Sequence, residues 1–167
     1  MKIIKKILFV LLIIFIIIQF DRPKKNVSTI TSVNDIANHY PVPSDVQPIL
    51  AKACNDCHTN NTRYPWYNYI QPVTWWLNDH VVGGKNHLNF SEFTSMRVAR
   101  QYKRMNDCIE QVKKNEMPLP SYTWIHKDAI LTDVEKEKLI GWCNAVRDSI
   151  KASYPADSLI VPKKKPA

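Results

Sequence analysis

Apolar residues follow one another without interruption from Ile7 to Ile18, behind Lys2, Lys5 and Lys6, and no polar position breaks the run to mark a solvent face. That order of charge and apolarity is the order of an export signal. No small-x-small cleavage site follows it, and counted from Ile3 the run is about 18 residues against the ~20 that cross a bilayer. Residues 1–20 are therefore expected to be an uncleaved transmembrane signal anchor, with a cleaved signal peptide as the alternative. Basic residues before the run stay inside, so the remainder is expected to face the periplasm, anchored to the cytoplasmic membrane or, after cleavage, soluble.

From Asp21 to Pro43 no helical stripe is visible and Pro23, Pro41 and Pro43 punctuate a polar segment, which reads as a tether over residues 21–43. Periodicity begins at residue 44. Ser44-Asp45-Val46-Gln47 has the form of a capping box, and Val46, Ile49, Leu50 and Ala53 follow at helical spacing. Pro72 suits the first turn of a second helix reaching Val82 and ended by Gly83-Gly84. Ser91 caps a third, reaching Asn115, with Phe93, Met96, Ala99, Tyr102, Met105, Ile109 and Val112 as its apolar stripe. Pro118 and Pro120 forbid its continuation. Thr132-Asp133-Val134-Glu135 is a second capping box, opening a helix to Tyr154 with Leu139, Cys143, Val146 and Ile150 along one face. The pattern is all-α over residues 44–154, followed at 155–167 by a basic, proline-rich tail expected to be disordered.

The net charge of +8 changes this picture little. Six of the lysines stand at the two ends, and without them 17 basic residues face 15 acidic ones, so the body is nearly neutral and offers no footprint for nucleic acid.

Cys54-Asn55-Asp56-Cys57-His58 changes it a great deal. In a helical turn Cys54 and Cys57 share a face with His58, so two thiols reach the two vinyl groups of one porphyrin while the imidazole lies under the iron. The motif reads as an attachment site for one covalent haem c, with His58 as proximal ligand. A zinc site would need a second ligand pair of similar spacing, which Cys108 and Cys143 do not make, and a thioredoxin-like pair would need a βαβ context. For the sixth ligand Met117 is favoured, a soft thioether in a Pro-flanked loop, with His80 as the main rival and His87 and His126 behind it. The aromatic stretch Tyr64 to Tyr69 offers packing for a flat disc, and Arg63 is a candidate for its propionates. Cys108 and Cys143 fall on the apolar sides of the third and fourth helices, where a disulfide would close a loop of about 36 residues, worth roughly 3 kcal/mol. Two buried thiols are the alternative.

With Tyr64-Pro65-Trp66-Tyr67, Pro72-Val73-Thr74-Trp75-Trp76, Leu88-Asn89-Phe90-Ser91, Met117-Pro118-Leu119 and Tyr122-Thr123-Trp124-Ile125-His126 added to the cysteine motif, the chain from Pro43 to Arg147 resembles the bacterial haem-binding domain family. That resemblance implies a small exported haem protein. A more distant similarity, resting on the Cys-x-x-Cys-His helix, the Met-Pro loop and the capped last helix, is to class I cytochrome c. The expectation is a cytochrome c-like single-electron carrier, bound to the membrane through its N-terminal helix and serving redox proteins. Two other roles are kept beside it: a haem peroxidase or gas sensor with an open sixth position, and a haem-containing interaction module of a membrane complex. No nucleophile pair and no Gly-rich nucleotide loop argue for other catalysis.

Overall fold

The computed structural model describes residues 2–161, and among them there are helices and turns but no strand. Eight α-helices follow in order: α1 (Lys2–Ile18), α2 (Ile36–His39), α3 (Gln47–Ala53), α4 (Asn55–His58), α5 (Val73–His87), α6 (Val98–Lys113), α7 (Pro120–Thr123) and α8 (Asp133–Ser153). The core forms where α6 and α8 pack together. Met105, Ile109 and Val112 of α6 meet Leu139, Trp142, Cys143, Val146 and Ile150 of α8, at the three- and four-residue spacing that a buried helical stripe requires. Ile49 and Leu50 of α3 and the rings of Phe90 and Phe93 complete it.

The capping box at the head of α8 forms as the sequence implies: the Thr132 hydroxyl accepts from Glu135 N–H while the Glu135 carboxylate accepts from Thr132 N–H. The box at Ser44 does not form. α3 starts three residues later, behind Val46, and the Gln47 amide instead donates to Val42 O at 3.1 Å.

Two helix limits differ from expectation for packing reasons. α5 continues through Gly83 and Gly84 to His87, and Leu88 N–H closes it on Gly84 O. The third helix is split. Phe90–Ser95 forms a 3-10 turn that sends Phe90 and Phe93 into the core, Asn89 rather than Ser91 caps it, and extended backbone at Met96 and Arg97 separates it from α6. The turn is held from outside: Ser32 Oγ donates to the Glu92 carboxylate at 3.0 Å and Thr94 N–H donates to Asn34 O at 3.1 Å.

Those bonds come from the segment expected to be a tether, which lies against the domain along its length. The Gln71 backbone N–H donates to Gln19 Oε1 at 2.9 Å, the Gln71 amide donates to Asp21 O, and Trp75 Nε1–H donates to the same carbonyl at 3.2 Å. Asn26 bonds to Thr59, Thr62 and Lys85, and Ile36 is buried in the core. At the other end Ala156–Leu159 forms a 3-10 turn with Leu159 against the core; the rest of the expected disordered tail, residues 162–167, lies outside the described residues.

The transmembrane expectation is corrected. α1 has 17 residues, about 25 Å at 1.5 Å per residue, short of the ~30 Å hydrocarbon core. Among the described residues no helix is long and apolar enough to cross a membrane.

Candidate functional site

The α3 helix delivers the cysteine motif. Cys54 still donates its N–H to Leu50 O at 3.0 Å, but its own dihedrals (φ −127°, ψ −46°) leave the helix, and its carbonyl accepts from Cys57 N–H at 3.2 Å and His58 N–H at 3.0 Å. One turn thus carries both thiols and the imidazole. α5 lies hard against this turn at Gly84, where a Cβ would stand 2.7 Å from the Cys57 carbonyl oxygen. That approach explains why a glycine occupies a helix interior.

His58 is oriented from the far end of α5. Its Nδ1 lies 2.8 Å from the Leu88 carbonyl, an acceptor only, so Nδ1 carries the proton and Nε2 keeps its lone pair. Burial pulls the imidazole below its ordinary value, although the Leu88 bond works against this, so the neutral, metal-binding form is favoured. Burial also pushes the Cys57 thiol up to about 11, with the Asp56 charge adding to it, and pushes the Cys54 thiol higher still.

A cavity of about 760 Å³ opens beside the turn, within the size range of cofactor pockets. Cys54, Cys57 and His58 line it from the motif, His80 and His87 from α5, Cys108 and Val112 from α6, and Met117 and Leu119 from the loop after α6. Residues separated by some sixty positions in sequence therefore meet around one cavity. His87 stands near enough to His58 to add to the lowering of its affinity for a proton, whereas Met117 arrives by a separate stretch of chain. His126 and His39 do not line this cavity: His126 Nε2 lies 2.7 Å from the Tyr67 hydroxyl, and His39 Nε2 lies 2.9 Å from Val33 O.

Arg63 and the aromatic loop also face elsewhere. The Arg63 guanidinium and backbone N–H donate to Asp56 and the guanidinium donates to Ala51 O at 2.7 Å, all beside a second, smaller cavity lined by Tyr64, Tyr67, Tyr122 and His126. Asp56 is the residue that sequence reasoning missed. It is 8% exposed inside the motif, and the Tyr122 hydroxyl donates to its Oδ2 at 2.8 Å. Burial, then that bond, push the Tyr122 phenol well above its ordinary value. Tyr122 in turn stacks on His126 at 4.3 Å between ring centroids. The available signal was a carboxylate between the two motif cysteines with an arginine seven residues on.

Cys108 and Cys143 are free thiols in the structure, near enough to each other in the core between α6 and α8 for each to shift the other's affinity for a proton. That proximity favours the charged form on Cys108 and opposes it on Cys143.

The family model for the haem-binding domain matches residues 13–145. The chain belongs to the haem-binding domain family. No curated protein and no solved structure matches it. The residues fit haem, the family's group. A soft thioether and a neutral imidazole with a free Nε2 are iron donors, and both line a cavity of adequate size. Arg104 lines the same cavity with its Nε buried and unpartnered, a donor awaiting an acceptor such as a carboxylate. In this haem-binding domain Arg104, and Lys103 and Lys114 on the same wall, could hold the propionates that sequence reading gave to Arg63.

Proposed function

We propose that this haem-binding protein is a mono-haem c-type electron carrier. Cys54 and Cys57 would hold the porphyrin by thioether bonds, and His58 Nε2 and Met117 sulfur would ligate the iron, whose chemistry when bound is one-electron exchange. One observation carries the reading: a histidine with its Nδ1 already engaged and a methionine from a distant loop line the same cavity as the two motif thiols. The chain's own contribution would be burial, which limits access of water, and ligand identity, since a thioether paired with an imidazole favours the reduced state. The lysines before the apolar run support export of the domain to the periplasm, where its redox partners would meet it.

A second reading has a specific observation behind it: His80 also lines the cavity, and as a distal group beside an open iron it would suit a peroxidase or gas sensor. Optical spectra of the protein matured with haem, ferric and ferrous, with and without carbon monoxide, separate the two. A low-spin spectrum unchanged by carbon monoxide is expected. A high-spin ferrous form that binds it readily would overturn the electron-carrier reading in favour of the second.

A further inference from the structure

Four cysteines gather in one region of this fold, and the proposed attachment chemistry uses two. Cys108 lines the haem cavity with Cys54 and Cys57, and Cys54 and Cys108 both pack on the core that buries Cys143 completely. Their electrostatic coupling matches that placement. Cys54 responds more strongly to Cys108 than to Cys57, its neighbour in the motif, and Cys143 responds to Cys108 and then to Cys54. Cys108 is thus the thiol common to both settings, lining the cavity with Cys54 and Cys57 and packing on the core that holds Cys143.

We propose that Cys108 and Cys143 are an internal dithiol that reduces a Cys54–Cys57 disulfide and so delivers both motif thiols free for haem attachment. The inference rests on the thioether reading above. Neighbouring cysteines at Cys-x-x-Cys spacing are readily oxidised by a disulfide donor, and a thiol tied up in a disulfide cannot bond to a vinyl group. The Cys108 thiolate attacks Cys54 sulfur; the Cys54–Cys57 bond breaks, and Cys57 leaves as thiolate and takes up the proton that Cys108 gave away. Cys143 then attacks Cys108 sulfur, loses its own proton, and releases Cys54, which is protonated in turn. Two electrons move from one pair to the other and no outside reductant is consumed. Placement assigns the roles: Cys108 shares the cavity with the two motif thiols and is the one that attacks, whereas Cys143, fully buried and absent from the cavity lining, is the one that resolves.

The test is a timed disulfide map. The full chain, made in a host without c-type haem maturation, is incubated with oxidised glutathione, blocked with iodoacetamide at intervals and mapped as unreduced tryptic peptides by mass spectrometry. A Cys54–Cys57 bridge should appear early and give way to Cys108–Cys143, in excess by about tenfold or more at the end point. Cys143→Ser should trap a Cys54–Cys108 bridge. A Cys54–Cys57 bridge that persists in the wild type overturns the proposal, as does absence of the Cys54–Cys108 species in the variant. Should far-ultraviolet circular dichroism show that the serine unfolds the chain, Cys143→Ala replaces it, and the wild-type time course decides without any variant. Haem staining of the matured protein after denaturing electrophoresis reports thioether attachment separately, so loss of one reading is not mistaken for loss of the other.

Discussion

Gly84 sits against the Cys57 carbonyl so closely that a single added carbon would lie 2.7 Å from the oxygen. The neighbour is backbone and cannot rotate aside, so Gly84→Ala must push α5 off the motif turn. We expect a loss of about 1–3 kcal/mol despite alanine's better helix propensity, with reduced haem loading. Gly141 makes the opposite prediction. It lies on the exposed side of α8 with nothing near a would-be Cβ, so Gly141→Ala should stabilise by about 0.5–1 kcal/mol. Thermal unfolding of both variants, side by side, checks the pair; equal signs would refute the packing account.

Met117→Ala should abolish the near-infrared band of a thioether–iron bond, turn the ferric spectrum high-spin and open the ferrous protein to carbon monoxide. His80→Ala should leave all three unchanged. If the wild type lacks the band and the histidine variant alone turns high-spin, the ligand is His80.

Tyr122→Phe removes the donor at 2.8 Å from the buried Asp56 carboxylate, which then keeps only its bonds from Arg63. A buried charge deprived of one hydrogen bond costs about 1–3 kcal/mol. A lowered unfolding midpoint with an unchanged haem spectrum is expected, because Tyr122 supports the turn through Asp56 and supplies no iron ligand.

The fold's legibility followed the range of the forces involved. α8 could be read from its capping box and stripe because both are local, and the motif could be read because one turn holds its whole chemistry. The split before α6 could not: it depends on Ser32 and Asn34 bonding to Glu92 and Thr94, some sixty residues away. Gly83 and Gly84 looked like a helix stop because glycine usually is one, whereas Gly84 answers to a carbonyl on another helix. Asp56 escaped notice for the same reason, since its partners Arg63 and Tyr122 meet it only once the chain has folded. The bonds from Arg63 to Asp56 are the other half of that contact.

Glu135 gives a pH prediction. Lys52, at 2.6 Å, and the Thr132 N–H hold its carboxyl below the ordinary 4.5. As pH falls past 4.5 the unfolded chain takes up the proton first, so the stability from this pair is complete above that value and lost as pH drops through the lower folded one. The pair is partly exposed and worth only about 0.5–1 kcal/mol. Urea unfolding of Glu135→Gln and wild type should show that gap at neutral pH and see it close in acid.

The long stretch before α3 has a consequence for where this protein begins as a folding unit. Gln71 is 1% exposed because Gln19 and Asp21 cover it, and Ile36 fills a place in the core. A fragment cut at Ser44, where helical periodicity first becomes visible, would bare an amide, a tryptophan edge and a hole in the interior at once. The portable piece of this chain starts near Gln19, so the domain can be moved between proteins whole only from that joint, twenty-five residues ahead of the one the sequence pattern suggests.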